Sequence, residues 1–191
     1  MKLPNIDSLL KMSAPPRKTL ANLAGKWKLN KSLSADVSSI LALQGTSSLV
    51  CKAIGSASVT LTISQPNEKE YSVKQTATAA AIPGTTEHYI LDNEWRTNKD
   101  PFFGEVKGRS RWISLDEANS IEGIEADFED SDNGKLILAE GGHVNGSWEA
   151  LRVWHFESLD GARRWIQGVK VWNKNGEEVK GKMVYDFLGD E

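Results

Sequence analysis

The spacing of hydrophobic positions changes along this chain. Trp27 and Leu29 alternate with Lys26 and Lys28, which predicts a half-buried first strand. Val37, Ile40 and Leu41 then recur at helical spacing behind Ser34, a residue type that caps helix starts, and Gly45 ends the run. Leu49, Val50, Ala53 and Ile54 predict a second short helix, closed by Gly55. From Ser58 the period becomes two, with Val59, Leu61 and Ile63 on one face and Ser58, Thr60 and Thr62 on the other. Further β runs are expected over 71–81, 85–91 and 106–115, once within the acid-rich 119–134, then over 135–138, 147–157, 164–173 and 180–188. Pro66-Asn67, Ile82-Pro83-Gly84, Leu159-Asp160-Gly161 and Asn175-Gly176 supply turns between them. About ten strands with one helical region predict a mainly β fold. The expected form is a closed antiparallel up-and-down β-barrel with a short helix-turn-helix lid after the first strand.

Residues 23–191 read as a single domain and residues 1–22 as an N-terminal extension, part of it flexible. Ser13-Ala14-Pro15-Pro16 cannot sit inside a helix or a central strand. Ile6, Leu9 and Leu10 either form a turn that docks on the body or belong to a disordered tail.

Composition narrows the function classes. A net charge of −3 argues against general nucleic-acid binding, which needs a strongly basic face. Cys51 is the only cysteine, so no disulfide forms within the chain and thiolate metal clusters are excluded. His88, His143 and His155 are scattered and support no metal site. No apolar run is long enough to span a membrane as a helix, and no phosphate-binding loop or hydrolase motif is present. The expectation is a cytoplasmic protein with no cofactor, no stable membrane insertion and no sign of an oligomer.

The order Gly25-Lys26-Trp27-Lys28-Leu29, two short helices, then a meander of strands resembles the intracellular fatty-acid-binding proteins of the calycin superfamily. The likeness covers most of residues 23–188. It is clearest at Ile40-Leu41-Ala42-Leu43-Gln44-Gly45 with Lys52, Gly55 and Thr62-Ile63-Ser64-Gln65, and at Met183-Val184-Tyr185, in the place of the family's Arg-x-Tyr element. The resemblance implies a hollow barrel gated by the helix pair over 33–54, with function inside. In that family two arginines and a tyrosine hold the ligand carboxylate. Tyr185 matches the tyrosine and Arg152 one arginine, while Met183 replaces the other. A buried carboxylate would thereby lose a charge-assisted pairing of about 1.5–3 kcal/mol, which favours a less charged, aromatic, terpenoid- or polyketide-like ligand.

Seven tryptophans, most of them in predicted strands, serve either as core packing or as a pocket lining. The candidate ligand-binding set is Trp27, Leu61, Tyr89, Trp112, Trp148, Trp154, Trp165, Gln167, Met183 and Phe187. Met183, Tyr185 and Phe187 share the more apolar face of the last strand and are placed inward; Trp165 and Gln167 are preferred inward before it, leaving Lys170 in water. Arg152 shares a face with Trp148, Trp154 and Phe156, either inside or outside, stacked on a tryptophan. Glu87 points inward if Tyr89 does. There it is either a carboxylate with a raised pKa that moves a proton, or an ionised partner of Arg152. Two functions follow: a carrier of a small hydrophobic molecule, or a cofactor-free cyclase or isomerase with Glu87, Tyr185 and Arg152 as its catalytic groups.

Overall fold

The computed structural model describes residues 13–78, 84–129 and 132–190. The Ile6, Leu9 and Leu10 positions, the end of the 71–81 run and most of the turn at 82–84 lie outside the described residues.

Ten strands and three short helices follow one another as β1 (Gly25–Leu29), α1 (Val37–Leu43), α2 (Ser48–Ser56), β2 (Val59–Asn67), β3 (Glu70–Ala77), β4 (Thr85–Ile90), β5 (Arg96–Asp100), β6 (Gly104–Ser114), α3 (Leu115–Asn119), β7 (Lys135–His143), β8 (Trp148–Leu159), β9 (Ala162–Asn173) and β10 (Glu178–Gly189). They form one antiparallel sheet in the order β4-β3-β2-β1-β10-β9-β8-β7-β6-β5. Pairing of the first strand with the last, Trp27 opposite Phe187 and Leu29 opposite Tyr185, curls the meander round on itself.

The expected closure is not completed. β4 and β5 are the two edges of the sheet and share no ladder. The seam is bridged through β6 instead, where the Asn93 N–H donates to the Ser110 carbonyl at 2.9 Å and Ser110 Oγ donates to the Ile90 carbonyl at 3.1 Å. The sequence pattern also missed β5, because Arg96-Thr97-Asn98-Lys99-Asp100 has no apolar alternation. A charged, all-polar strand suits a sheet edge, where one side meets water.

Two further expectations are corrected. Ser34 does not cap α1; Asp36 does, accepting from the Ser38 N–H at 2.9 Å. Ser34 Oγ instead accepts from the Val184 N–H at 2.9 Å and donates to the Asn30 carbonyl, which ties the loop before α1 to β10. The stretch 119–134 holds no strand among its described residues. After α3 it runs as an irregular strap over the outer face of β8 and β9. Ile124 packs against Gly168 so closely that a Cβ there would meet its Cγ2 at 3.1 Å. The Phe128 ring lies edge-on to His155 at 4.9 Å. The strap explains why β8–β10 are buried on both faces. Val153, His155, Ile166 and Val184 are fully covered beneath it and its neighbours, behind the interior row.

Residues 13–24 close one end of the barrel. Leu20 and Leu23 are fully buried. Their backbone is held by the Asp132 carboxylate, which accepts from the Leu20 and Ala21 N–H groups, and by Gln65, which accepts from the Leu23 N–H. The Tyr71 hydroxyl donates to the Leu20 carbonyl and the Trp27 indole to that of Leu23, both at 2.9 Å. Arg163 locks this plug. It donates to Glu129 at 2.7 Å and to the Pro15 and Lys18 carbonyls, and it lies 3.9 Å over the Phe156 ring. Arg163→Ala is expected to destabilise the protein by about 2–3 kcal/mol, from lost charged hydrogen bonds and a cation–π contact. Thermal unfolding should show a midpoint lower by about 4–12 °C.

Candidate functional site

The interior of the sheet is filled unevenly. At the plugged end aromatic side chains pack on one another: Trp27 meets Phe187 at 4.9 Å and Trp165 at 5.5 Å, and Trp154 meets Trp165 at 5.4 Å. Tyr185 stacks on Trp165 at 4.6 Å with planes 26° apart. Such pairs add about 0.5–1.5 kcal/mol each beyond the area they bury, and they leave no room for a ligand. At the other end, between β4, β5, β6, β7 and β8, lies a cavity of 350 Å³ that Gln44, just after α1, also borders.

Of the residues selected from sequence, Glu87, Tyr89, Trp148 and Arg152 line that cavity. Trp27, Leu61, Trp154, Trp165, Gln167, Met183, Tyr185 and Phe187 are buried around and beneath it, and the structure does not bring them to its wall. Trp112 is half-buried on β6, opposite Ile137, and also stands away from the wall. The physical reason is mutual packing: Trp27 of β1, Trp154 and Phe156 of β8, Trp165 of β9 and Tyr185 and Phe187 of β10 face inward and fill their end of the barrel. Sequence reasoning missed the wall supplied by β5 and β6, including Asn98, Phe103 and Val106. The one signal was Phe102-Phe103 beside a glycine; the Phe103 ring packs on Trp148 at 5.4 Å.

The polar centre of the cavity joins β4 to β8 across the interior. Register fixes its members. Glu87 and Tyr89 lie on one face of β4, and Arg152 sits opposite Ala139 of β7 and Val169 of β9. Arg152 Nη1 donates to the Tyr89 hydroxyl oxygen at 3.0 Å and to Glu87 Oε2 at 3.3 Å, while the Tyr89 hydroxyl donates to Glu87 Oε2. Arg152 lies deep in the fold yet keeps 34% of its side-chain surface accessible, because that surface faces the cavity. Tyr89 first, then Glu87 and Tyr185, raise the guanidinium's pKa above the ordinary arginine value against the opposing effect of burial. Arg152 is therefore a permanent cation here. Of the two alternatives that the sequence left for Arg152, the interior one is what the fold adopts, and Glu87 is its ion partner.

All three tyrosines of the chain are pushed above their ordinary pKa, chiefly by burial. For Tyr89 and Tyr185 the Glu87 charge adds to the rise and Arg152 opposes it; for Tyr71 Asp132 and Glu68 add to it. These hydroxyls thus remain donors throughout the neutral range. A raised folded pKa means that, above about pH 10, the native state keeps protons that the unfolded chain releases. The resulting stability is complete below the unfolded value and is lost as pH climbs toward the folded one. The expected result is little tyrosinate absorbance in the native protein at about pH 10.5, full absorbance in denaturant, and an unfolding midpoint that falls steadily above about pH 10.

Among the described residues no group of three or more His, Cys, Asp or Glu side chains could hold a metal ion, and no helix is long and apolar enough to cross a membrane.

This architecture is the fold of the fatty-acid-binding proteins. The chain superposes on the REP1-NXSQ fatty acid transporter with a TM-score of 0.59 at 18% identity, covering 90% of this chain and 99% of that one. It superposes on a Schistosoma mansoni fatty acid binding protein in complex with arachidonic acid with a TM-score of 0.57 at 13% identity, over 90% and 99% of the two chains. In sequence it is 25% identical over 188 residues to a curated protein of Mollisia scopiformis named "Probable pericyclase scpY", spanning 94% of this chain and 96% of that one. No protein-family model matches the chain.

Proposed function

We propose that the cavity takes up a small, largely apolar, carbonyl-bearing molecule and promotes its ring closure without a cofactor. The observation that carries this reading is the Arg152 cation, held by Glu87 and Tyr89 with part of its guanidinium facing the cavity. A volume of 350 Å³ suits a small organic ligand. The relative named as a pericyclase supports the reaction class, and the fatty-acid-binding-protein fold supports hydrophobic ligand binding.

In a pericyclic closure the bonding electrons reorganise within one molecule, so no oxidant, reductant or net proton transfer is required. Two contributions are open to the protein. The walls hold the reacting ends of a folded chain near one another, replacing a large part of the entropic barrier. A cationic donor on a conjugated carbonyl draws electron density from the adjoining double bond, and in a water-poor site this is worth several kcal/mol. Glu87 and Tyr89 then act as positioning residues that orient Arg152, and Tyr185 packs beneath the cavity, stacked on Trp165. The helix pair, with Gln44 at the cavity lip, serves as the lid, and the free, buried Cys51 suits a reducing cytoplasmic setting.

The test is incubation with linear polyenes that carry a conjugated ketone or ester. Product and substrate are isomers of equal mass, so the readout is chromatographic mobility and loss of conjugation in the ultraviolet. Accelerated closure supports the enzyme. Tight binding with the polyene recovered unchanged leaves a carrier, the second reading, which the fold likeness favours. Absence of binding overturns both.

A further inference from the structure

Glu87 faces Arg152 as the carboxylate of an acidic ligand would. Its Oε2 is 3.3 Å from Arg152 Nη1 and also accepts from the Tyr89 hydroxyl, so one oxygen collects both donors. We propose that Glu87 is a built-in carboxylate that excludes free acids from the cavity and selects ligands whose polar end is a neutral carbonyl. This rests on the cavity being the ligand site, as argued above.

Charge bookkeeping along the wall supports it. Arg109 is paired with Glu140 at 2.8 Å and Arg96 is clamped by Asp92. Lys107, which also borders the cavity, lies over the Trp95 ring at 5.3 Å. Asp100 accepts from the Phe102 and Phe103 N–H groups. Arg152 is the cation that β8 presents to the interior, and Glu87 already neutralises it. An entering carboxylate would sit beside Glu87 with one cation between them, and two carboxylates sharing a site disfavour each other. A ketone, ester or lactone oxygen meets no such repulsion. The remaining Arg152 N–H groups have no partner among the described residues, and they offer it a charged donor.

The experiment compares a medium-chain fatty acid with the methyl ketone and methyl ester of the same length, by calorimetry and tryptophan quenching at neutral pH. Wild-type protein is expected to bind the ketone at least about tenfold more tightly than the acid. Glu87→Gln and Glu87→Ala should each raise affinity for the acid by about tenfold or more. Equal binding of acid and ketone by the wild type overturns the exclusion and leaves the cavity reading standing; this comparison needs no variant to fold. Folded Glu87 variants with unchanged acid affinity overturn it as well. If none of the three probes binds, the cavity reading itself fails.

Discussion

Arg152→Met protein is expected to fold and to bind the ligand, yet to close its ring about 10²–10³-fold more slowly than the wild type, the usual consequence of removing one preorganised donor from a reacting oxygen. Methionine keeps the volume and the apolar stem, so the cavity walls stay in place. What disappears is the permanent positive charge beside Tyr89. Loss should fall on kcat more than on KM, because a donor to a carbonyl counts most where that carbonyl gains negative charge. The single substitution also leaves Glu87 without its cation, which disturbs the surroundings for reasons unrelated to catalysis. Arg152→Met with Glu87→Gln removes that complication. Equal slowing in the single and double variants assigns the effect to the missing donor. Full activity in the double variant would remove Arg152 from the chemistry.

Much of the fold was legible because alternation is a strong signal when one face is wet. β1 reads Gly25, Trp27, Leu29 inward and Lys26, Lys28 outward, and the structure buries them in that order. β2 and β3 behave alike, with Val59, Leu61, Ile63, Tyr71 and Val73 buried. Alternation failed where neither face is simply wet. β5 is polar throughout because it is an edge, and β8–β10 are covered twice. The seam between β4 and β5 could not be read either, since barrel closure depends on accumulated twist and no local residue encodes it. The site was half legible. Glu87 and Arg152 are unusual charges in aromatic strands, which a sequence exposes. Their contact, across 65 positions of chain, is set by how far the sheet curls. The tryptophans stayed open between packing and pocket lining for the same reason: composition suggests that rings face inward and cannot show whether they surround a space or occupy it.

The second layer on β8–β10 carries the largest stability effect we expect, in Asp186→Ala. Arg164 and Asp186 form a salt bridge on the outer face of β9 and β10, with side chains only 4% and 2% exposed. Asn30 donates to the other Asp186 oxygen at 2.9 Å. Burial already lowers the Arg164 pKa, a sign that its charge is poorly solvated there. Deleting Asp186 removes the carboxylate paired with that cation beneath the loop before α1, leaving Asp160 as a counter-charge that forms no ion pair with it, and costs about 3–5 kcal/mol, more than deletion of an exposed pair by several-fold. Unfolding should shift down by about 6–20 °C. The pair is not thereby a net source of stability. Taking two charges out of water is costly, and an apolar pair of similar volume recovers much of the loss. Arg164→Met with Asp186→Leu is therefore expected to lie well above Asp186→Ala and close to the wild type in chemical denaturation. If the double variant is as unstable as the single one, packing of the loop against β10, not the unpaired charge, is what Asp186 secures. Because Val184 and Asp186 alternate with Met183, Tyr185 and Phe187 along one strand, slackening on this outer face would be felt at the aromatic floor of the cavity. Ligand affinity measured on the two variants reads that coupling directly: it should fall with Asp186→Ala and return with the double substitution.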